Sequence, residues 1–382
     1  MNIIIAIIFS FYIIITMLML FGLRKKNRIV NKKLYNFSIV VAVKNEEKDI
    51  EKLLESLKKI NYPKEKLEII IVDNSSEDDT VKVINRFIKK DSHIKLIQLY
   101  KNESNTLKGK LYALQQGILK SNGEIILITD GDCKVPSSWV ASYNSKFTEK
   151  IGLVAGNISL IAGDKKTTMF TKIQNLDWIF LQTISTGTAE INLPVSMLGG
   201  NFAIRKETYI DIGGFEKMGF SITEDMKLIQ EVHKQKFWEI HYSDDDNILI
   251  STVPTKNIRE FITQRKRWAM GSTDVTFWGI TLQLIATINH LLIAFGFLLP
   301  INKLLLLCGI GAILFSDFIL LFKQLSKFKM RKLLLYFFHY KVFFILYIIL
   351  FIPIVLFSKK VVWKGEEYKV KKKKLKKGGV NE

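Results

Sequence analysis

Apolar residues are distributed unevenly along the chain, and their pattern separates a mixed central part from two strongly hydrophobic ends. Residues 1–23 and 275–357 are largely apolar, whereas residues 24–274 alternate between short apolar runs and polar stretches. As a helix, the first run would be about 30 Å long, which is enough to cross a bilayer. Because this run has no basic start and no small-residue cleavage site, we predict an uncleaved transmembrane anchor rather than a signal peptide.

The central part carries the pattern of alternating strands and helices. Short β-branched apolar runs predict strands at residues 37–43, 67–72, 94–99 and 124–129, and the stretches at 46–60, 78–90 and 107–120 have the spacing of amphipathic helices. This alternation is typical of a parallel sheet with right-handed crossovers. We therefore predict an α/β domain over residues 37–274.

The second half of this domain is less regular. Its apolar runs predict strands at residues 151–160 and 196–205, and helices at residues 168–186, 223–234 and 257–270.

Three apolar segments, near residues 275–300, 304–322 and 333–357, predict transmembrane or interfacial helices over 275–357. Three crossings from a cytosolic start would place the lysine-rich tail, residues 358–382, outside the cell, against the positive-inside rule. We therefore predict that one segment is interfacial or re-entrant. The last is the candidate, because His339, Lys341 and Pro353 interrupt it.

Charge supports the same arrangement. The chain has 56 Lys and Arg against 36 Asp and Glu, a formal net charge of +20. Basic residues cluster at 24–36, 323–332 and 359–377, each beside a hydrophobic segment, so attraction to an anionic membrane explains them better than nucleic acid does. We expect a multi-pass protein of the cell membrane, with the central domain and the tail in the cytoplasm. The two cysteines, Cys133 and Cys308, predict neither a disulfide framework nor a cysteine metal cluster.

The run at 124–129 ends in Asp130-Gly131-Asp132, which places two carboxylates where open α/β sheets bind ligands. Carboxylates this close repel each other unless a cation lies between them. Hard oxygen ligands with open coordination positions suit Mg²⁺ or Mn²⁺ carrying a diphosphate. A polar turn is the alternative interpretation of an isolated Asp-Gly-Asp.

Other polar residues follow strands whose ends meet at the same edge. The first strand is followed by Glu46 and the second by Asp73, which is placed to accept hydrogen bonds from a uracil or a ribose. Lys110 begins a predicted helix, where a cation and free backbone N–H groups favour phosphate. The alternatives are a turn with a helix cap after Asp73 and a solvated surface role for Lys110.

Two motifs lie further along the chain. Glu224 and Asp225 begin a predicted helix, which acidic residues also do simply because they favour the positive end of the helix dipole. In the predicted helix 257–270, Gln264 and Trp268 share a face, with Arg267 beside them. Arginine can hold a diphosphate bidentately and an indole can stack beneath a sugar ring at the acceptor site. An amphipathic interfacial helix would show the same pattern, and both interpretations are compatible.

In this order and spacing, the motifs resemble those of membrane-integrated family 2 glycosyltransferases, which are related to ceramide glucosyltransferases and to cellulose, chitin and poly-N-acetylglucosamine synthases. The resemblance covers roughly residues 37–274, with a weaker match at Trp363-Lys364-Gly365. The matching residues are Val43-Lys44-Asn45-Glu46, Asp73 with Ser75-Ser76, Lys110, Asp130-Gly131-Asp132, Gly199-Gly200-Asn201, Gly213-Gly214-Phe215, Thr223-Glu224-Asp225 and Gln264-Arg265-Lys266-Arg267-Trp268.

The resemblance implies a GT-A fold, in which a nucleotide-binding half joins an acceptor-binding half. It implies that Asp132 coordinates the metal most directly, that Asp130 lies near the ribose or the metal, and that Asp225 is the general base of an inverting transfer. It also implies donor binding by Glu46, Asp73, Lys110, Asp130, Gln264, Arg267 and Trp268.

The acceptor stays open at this stage. A lipid acceptor is favoured, because one amino-terminal and few carboxy-terminal hydrophobic segments leave little material for a polysaccharide channel. A processive β-linked polysaccharide synthase is the main alternative, and a polyprenyl-phosphate sugar synthase is disfavoured by the Gln264-to-Trp268 motif. A non-catalytic membrane scaffold is disfavoured because Asp132 and Asp225 are both present.

Overall fold

The computed structural model describes residues 1–23, 31–89, 91, 93–100, 107–160, 167–219, 221, 223–271, 276–357, 360–363 and 366–369. Much of the predicted basic segment 24–36 and most of the tail 358–382 lie outside these residues. The strands are β1 (Phe37–Val43), β2 (Leu67–Asn74), β3 (Ile94–Leu99), β4 (Ile125–Asp130), β5 (Ile151–Ala155), β6 (Ile158–Leu160), β7 (Asn201–Arg205), β8 (Glu239–Tyr242), β9 (Ile250–Thr252), β10 (Lys360–Trp363) and β11 (Glu366–Lys369).

The α-helices follow the predicted pattern with shorter bounds in the first half of the domain. They are α1 (Asn2–Gly22), α2 (Ile50–Leu57), α3 (Thr80–Ile88), α4 (Gly109–Leu119), α5 (Trp139–Asn144), α6 (Met169–Glu190), α7 (Lys206–Asp211), α8 (Gly214–Met218), α9 (Glu224–Lys234), α10 (Ile258–Gly271), α11 (Phe277–Phe295), α12 (Lys303–Lys327) and α13 (Phe337–Phe357).

Seven strands form one sheet in the order β3-β2-β1-β4-β7-β5-β8. Strands β3, β2, β1 and β4 are parallel, β7 runs antiparallel to both of its neighbours, and β5 pairs in parallel with β8. The prediction of an α/β fold with a mostly parallel sheet is therefore confirmed. The carboxyl ends of β1, β2 and β4 meet at one edge, since Val43 pairs with Asp73 and Ala42 with Asp130.

Each face of the sheet is covered by helices, because its strands are apolar on both sides. On one face Ile39 and Val41 pack with Leu53 of α2 and Ile84 of α3. On the other face Val40 packs with Leu111 and Leu114 of α4 and with residues of α8 and α9. This packing fixes the helix starts that follow each strand at the same edge of the sheet.

Two predicted strands were too long. The run at 151–160 is divided between β5 and β6, and Gly156 between them lies so close to Tyr143 that an added Cβ would come 2.4 Å from the hydroxyl. The run predicted over 196–205 forms a strand only from Asn201, and the two glycines before it lie against the carboxylates described below.

Within the part of the chain that the structure describes, four helices are long and apolar enough to cross a membrane: Asn2–Gly22, Phe277–Leu298, Lys303–Lys327 and Arg331–Pro353. The first three pack against one another, and α6 of the central domain contacts α1, α12 and α13. Gly187 of α6 lies so close to α1 that an added Cβ would come 2.8 Å from Cβ of Met19. The central domain therefore rests directly on the hydrophobic helices.

A polar network lies inside this helix bundle, with one side chain from each of its four helices. The Tyr12 hydroxyl donates to Oδ1 of Asp317 (2.5 Å), and Lys341 Nζ donates to Oδ2 of the same carboxylate (2.5 Å). His290 Nε2 lies 3.5 Å from Lys341 Nζ, while its Nδ1 lies 2.7 Å from the Ala286 carbonyl oxygen. That carbonyl assigns the imidazole proton to Nδ1, which leaves Nε2 to accept from the lysine. Partners of this kind are what permit charged side chains in an apolar environment.

The carboxyl end of α12 is tied to the central domain by a second set of charges. Lys327 and Lys329 form ion pairs with Asp244 and Asp246, which belong to the loop between β8 and β9. Lys146 pairs with Asp245 of the same loop at 3.1 Å. Two of the basic residues predicted to face lipid headgroups therefore bind protein carboxylates instead.

Candidate active site

The turns after β1 and β2 are cross-linked by hydrogen bonds. Asn45 N–H donates to Ser76 Oγ (2.9 Å), and Glu77 N–H donates to Asn45 Oδ1 (2.9 Å). Asn45 and Ser75 both have positive φ, at 55° and 58°, a conformation that non-glycine residues adopt rarely. These turns hold the edge of the sheet in one shape, and backbone strain of this kind is common at ligand sites.

Asp73 lies at the end of β2 and is only 2% exposed. One carboxylate oxygen, Oδ2, accepts from Ser76 N–H at 3.2 Å, whereas Oδ1 is buried with no hydrogen-bond partner among the residues that the structure describes. A buried carboxylate oxygen without a donor is costly, so this atom is suited to receive a donor from a bound molecule.

The Asp130-Gly131-Asp132 turn lies beside the turn after β1. A Cβ added at Gly131 would come 3.0 Å from Val43 Cγ1 and 3.1 Å from Glu46 Cγ. A larger residue at position 131 would force Val43 or Glu46 to shift, so the glycine lets Glu46 lie close against this turn. Both aspartates are partly exposed, as groups that bind a ligand at the surface must be.

Lys110, in the first turn of α4, joins two acidic groups. Its Nζ lies 2.7 Å from Asp130 Oδ1 and 3.2 Å from Glu224 Oε1. Burial by itself would lower the pKa of Lys110, but the two carboxylates outweigh it and raise the pKa above the ordinary value. The lysine is therefore a permanent cation that holds two carboxylates of the site together.

Asp225, at the start of α9, is pressed against the turn that precedes β7. A Cβ added at Gly199 would come 2.8 Å from Asp225 Oδ2, and one added at Gly200 would come 2.8 Å from Asp130 Oδ2. Burial and the neighbouring Glu224 carboxylate raise the pKa of Asp225 to about 7, although Lys110 and Arg267 oppose the shift. A carboxylate with that pKa can both accept and release a proton at neutral pH.

Helix α10 carries the remaining predicted residues. Arg267 is close enough for its charge to act on Asp225. Trp268 packs against Trp178 of α6, with ring centroids 4.9 Å apart, and the Arg265 guanidinium covers it at 4.1 Å from the ring centroid. Gln264 is partly buried on the same helix.

The structure thus brings Lys110, Asp130 and Asp225 into one cluster, with Glu46 and Asp132 at the Gly131 turn. Asp73 belongs to the site through its place on the same sheet edge. Sequence reasoning assigned Glu224 no role, although it is the second partner of Lys110. The signal available was its position next to Asp225, which also fits an ordinary helix start.

A divalent cation would have to bind through few protein ligands. Among the described residues, no group of three or more His, Cys, Asp or Glu side chains is arranged to hold a metal. Asp130 and Asp132 offer partly exposed hard oxygen donors, which fit Mg²⁺ or Mn²⁺ if oxygens of a diphosphate complete the coordination shell. The residues present therefore fit a cation that binds together with a nucleotide.

Comparisons with known proteins agree with this chemistry. A model of glycosyl transferase family 21 matches residues 2–376. The chain is 29% identical over 248 residues to the probable glycosyltransferase YdaM of Bacillus subtilis, covering 64% of this chain and 57% of that protein. It is 28% identical over 258 residues to a beta-monoglucosyldiacylglycerol synthase of Trichormus variabilis, covering 64% and 51%.

A third relative is a poly-beta-1,6-N-acetyl-D-glucosamine synthase of Staphylococcus aureus, 26% identical over 269 residues and covering 70% of this chain and 61% of that one. The chain thus spans little more than half the length of these relatives. In structure it is similar to a mannosyltransferase of Pyrobaculum calidifontis solved with GDP-Man and Mn²⁺, with a TM-score of 0.54 at 15% identity, covering 90% of this chain and 99% of that one. This likeness confirms the glycosyltransferase fold.

Proposed function

Because the chain belongs to glycosyl transferase family 21, we propose that it moves a sugar from a UDP-sugar to a membrane lipid at the cytoplasmic face of the cell membrane. One observation carries the proposal: Asp225, Lys110 and Asp130 meet at a sheet edge, and the domain that holds them rests on hydrophobic helices. The catalytic domain is residues 37–274, with hydrophobic segments at 1–23 and 275–357.

Asp73 and Glu46 belong to the donor half of the proposed site. Asp73 accepts a hydrogen bond from the nucleoside through its unpartnered oxygen, and Glu46 borders the same edge. Lys110 and Arg267 attract the diphosphate, whose negative charge grows as the sugar leaves. A divalent cation held by Asp130 and Asp132 would supply further charge neutralisation for that leaving group.

Asp225 is the proposed general base. It takes the proton of the acceptor hydroxyl while that oxygen forms a bond to the anomeric carbon and the bond to the diphosphate breaks. Attack from the face opposite the diphosphate inverts the anomeric configuration. On α10, Trp268 offers a surface on which a sugar ring can stack, and Gln264 lies one helical turn before it.

A lipid acceptor is favoured over a growing polysaccharide by the interior of the helix bundle. Asp317, His290 and Lys341 are each at most 2% exposed and hydrogen-bonded to one another or to neighbouring helices, so side chains fill the space that a polymer would need. The relative named as a beta-monoglucosyldiacylglycerol synthase supports the same acceptor class. The relative named as a poly-beta-1,6-N-acetyl-D-glucosamine synthase supports the alternative function, synthesis of a polysaccharide.

The test is a transfer assay with the full chain in lipid nanodiscs that contain diacylglycerol or ceramide. UDP-glucose, UDP-galactose and UDP-N-acetylglucosamine are supplied separately, and the lipid and polymer fractions are analysed by mass spectrometry. We expect one sugar residue on one lipid class, with Asp225→Asn as the inactive control. A polymer would establish the polysaccharide synthase instead. If the folded protein consumes no UDP-sugar, the proposed function fails and a non-catalytic membrane scaffold becomes the better interpretation.

A further inference from the structure

A buried ion pair joins α6 to α10 on the side of α10 away from Arg267. The carboxylate of Asp177 contacts the guanidinium of Arg265, and the two side chains are 3% and 2% exposed. Burial raises the pKa of Asp177 above its ordinary value, although Arg265 and Lys341 oppose the shift. Taking two charges out of water is expensive, so this pair is not explained by simple packing.

Arg265 contacts aromatic rings as well as Asp177. Its guanidinium carbon lies 4.1 Å from the ring centroid of Trp268 and 4.7 Å from that of Phe261. Residues 261, 265 and 268 share one face of α10, because they are spaced by four and three positions. Trp268 is thus covered on one face by Arg265 and approached by Trp178 at 4.9 Å.

We propose that Asp177 is a positioning residue for the acceptor half of the site, which it controls by fixing Arg265 and, through Arg265, the ring of Trp268. The inference rests on the proposed function and adds to it that Trp268 borders the acceptor. The pair holds this face of α10 against α6, where Trp268 meets Trp178. A planar guanidinium is required, because only it can bind a carboxylate and stack on an indole at once.

Positioning and simple stabilisation make different predictions for the chemistry. Water and the acceptor hydroxyl compete for the same anomeric carbon, so a displaced acceptor lowers transfer while hydrolysis of the UDP-sugar continues. A small displacement of a reactant can cost about a hundredfold in rate. A loss of stability alone lowers transfer and hydrolysis together and leaves their ratio unchanged.

The experiment compares full-length variants in nanodiscs by four measurements. They are the ratio of transfer to hydrolysis, UDP affinity, melting temperature and the near-ultraviolet circular dichroism signal that Trp268→Phe removes, which isolates Trp268 among the six tryptophans of the chain. Arg265→Lys keeps the charge but loses the planar stack. The double variant Asp177→Asn with Arg265→Gln removes both charges and so leaves no buried charge unpaired. Glu68→Gln, a hydrogen-bonded carboxylate at the opposite edge of the sheet, is the matched control.

We expect Arg265→Lys and the double variant to lower the ratio at least tenfold, with an altered indole signal and UDP affinity within about threefold of wild type. The double variant should melt above the single variant Asp177→Asn, which is made for this comparison because it leaves the buried Arg265 charge unpaired. Glu68→Gln should lower the melting temperature without changing the ratio. A wild-type ratio in Arg265→Lys would overturn the proposal.

Failure of the proposed function and failure of this inference give different results. If the wild type transfers sugar to no lipid, the proposed function fails on its own. The circular dichroism of Arg265→Lys then still decides the structural inference, because an unchanged indole signal would show that the pair does not position Trp268.

Discussion

Three aspartates of the site, Asp73, Asp130 and Asp225, lie in unlike surroundings, which give them unlike chemistry. Asp130 is partly exposed and paired with Lys110 at 2.7 Å. Asp73 is buried with one unpartnered oxygen. Asp225 has the raised pKa that a proton acceptor needs. Residue type alone does not distinguish these three environments.

Asp225→Asn tests the role of the base. The amide keeps the shape and most hydrogen bonding, but it cannot accept the acceptor proton, so transfer should fall by about two to four orders of magnitude. UDP affinity should change little, because the nucleotide-binding residues are untouched. UDP affinity, melting temperature and transfer rate are measured on the one variant.

A helix-capping role would give a different pattern: stability lowered by about 1 kcal/mol with a modest loss of rate. If transfer stays within a few-fold of wild type, Asp225 is not the base. Glu224 then becomes the residue to test.

The pH dependence of transfer should follow Asp225. Its pKa of about 7 means that the carboxyl is protonated, and inactive as a base, below neutral pH. The quantity kcat/KM should therefore rise about tenfold per pH unit up to roughly pH 7 and level off above it. Initial rates measured between pH 5 and pH 9 in buffers of equal ionic strength check this. A profile that is flat through this range would contradict the assignment, and Asp225→Asn should lack the rise.

At the scale of elements, the strand-end placement of the carboxylates could be predicted because parallel strands carry their ends to one edge. The close approach of the backbone before β7 to these carboxylates was less predictable. The apolar run predicts a strand there, whereas Gly199 and Gly200 lie against Asp225 and Asp130. Contacts between turns distant in sequence leave no local periodicity, so only the glycines themselves marked this approach.

The turn after β4 makes a prediction about metal. Chelation of divalent cations should abolish transfer, because the diphosphate would lose the cation that neutralises it. Asp130 and Asp132 supply only part of a coordination shell, so they should hold the cation weakly without the nucleotide. Asp132→Ala should weaken UDP-sugar binding at least tenfold and leave the melting temperature almost unchanged, since Asp132 is partly exposed. Titration calorimetry with and without Mg²⁺ or Mn²⁺ measures this. Full turnover in excess chelator would remove the metal from the mechanism.

For the whole molecule, the path of α13 decides the topology. Tyr336, just before α13, accepts a hydrogen bond from Lys172 of α6 at 2.7 Å, and β10, just after it, contacts α10. Phe343 and Tyr347 in the middle of α13 pack on Phe261 of α10. These contacts with the catalytic domain along the helix support our prediction that α13 is interfacial or re-entrant.

Cysteine labelling tests this path. In a Cys308→Ser background, Lys332→Cys and Lys372→Cys should both resist a membrane-impermeant thiol reagent added to intact cells. Both should react after permeabilisation. Labelling at position 372 from outside would show that α13 crosses the membrane and that the tail is external.

The ion pair between Asp317 and Lys341 inside the helix bundle could not be predicted from the sequence, for a related reason. In the sequence, Lys341 only interrupts an apolar segment. Its partner Asp317 lies on another helix, so the segment itself does not indicate the pair. Pairing between helices depends on their rotation and depth, which one apolar segment does not encode.

That pair also has a consequence for how the protein is made. During synthesis α12 leaves the ribosome before α13, so Asp317 reaches the bilayer before Lys341 exists to neutralise it. A charged aspartate at the centre of a membrane helix costs about 2.5–3.5 kcal/mol on insertion scales. The Tyr12 hydroxyl, already in place on α1, offers the waiting carboxyl a hydrogen bond. Early docking of α12 on α1 would thus give Asp317 a partner until the last helix brings Lys341.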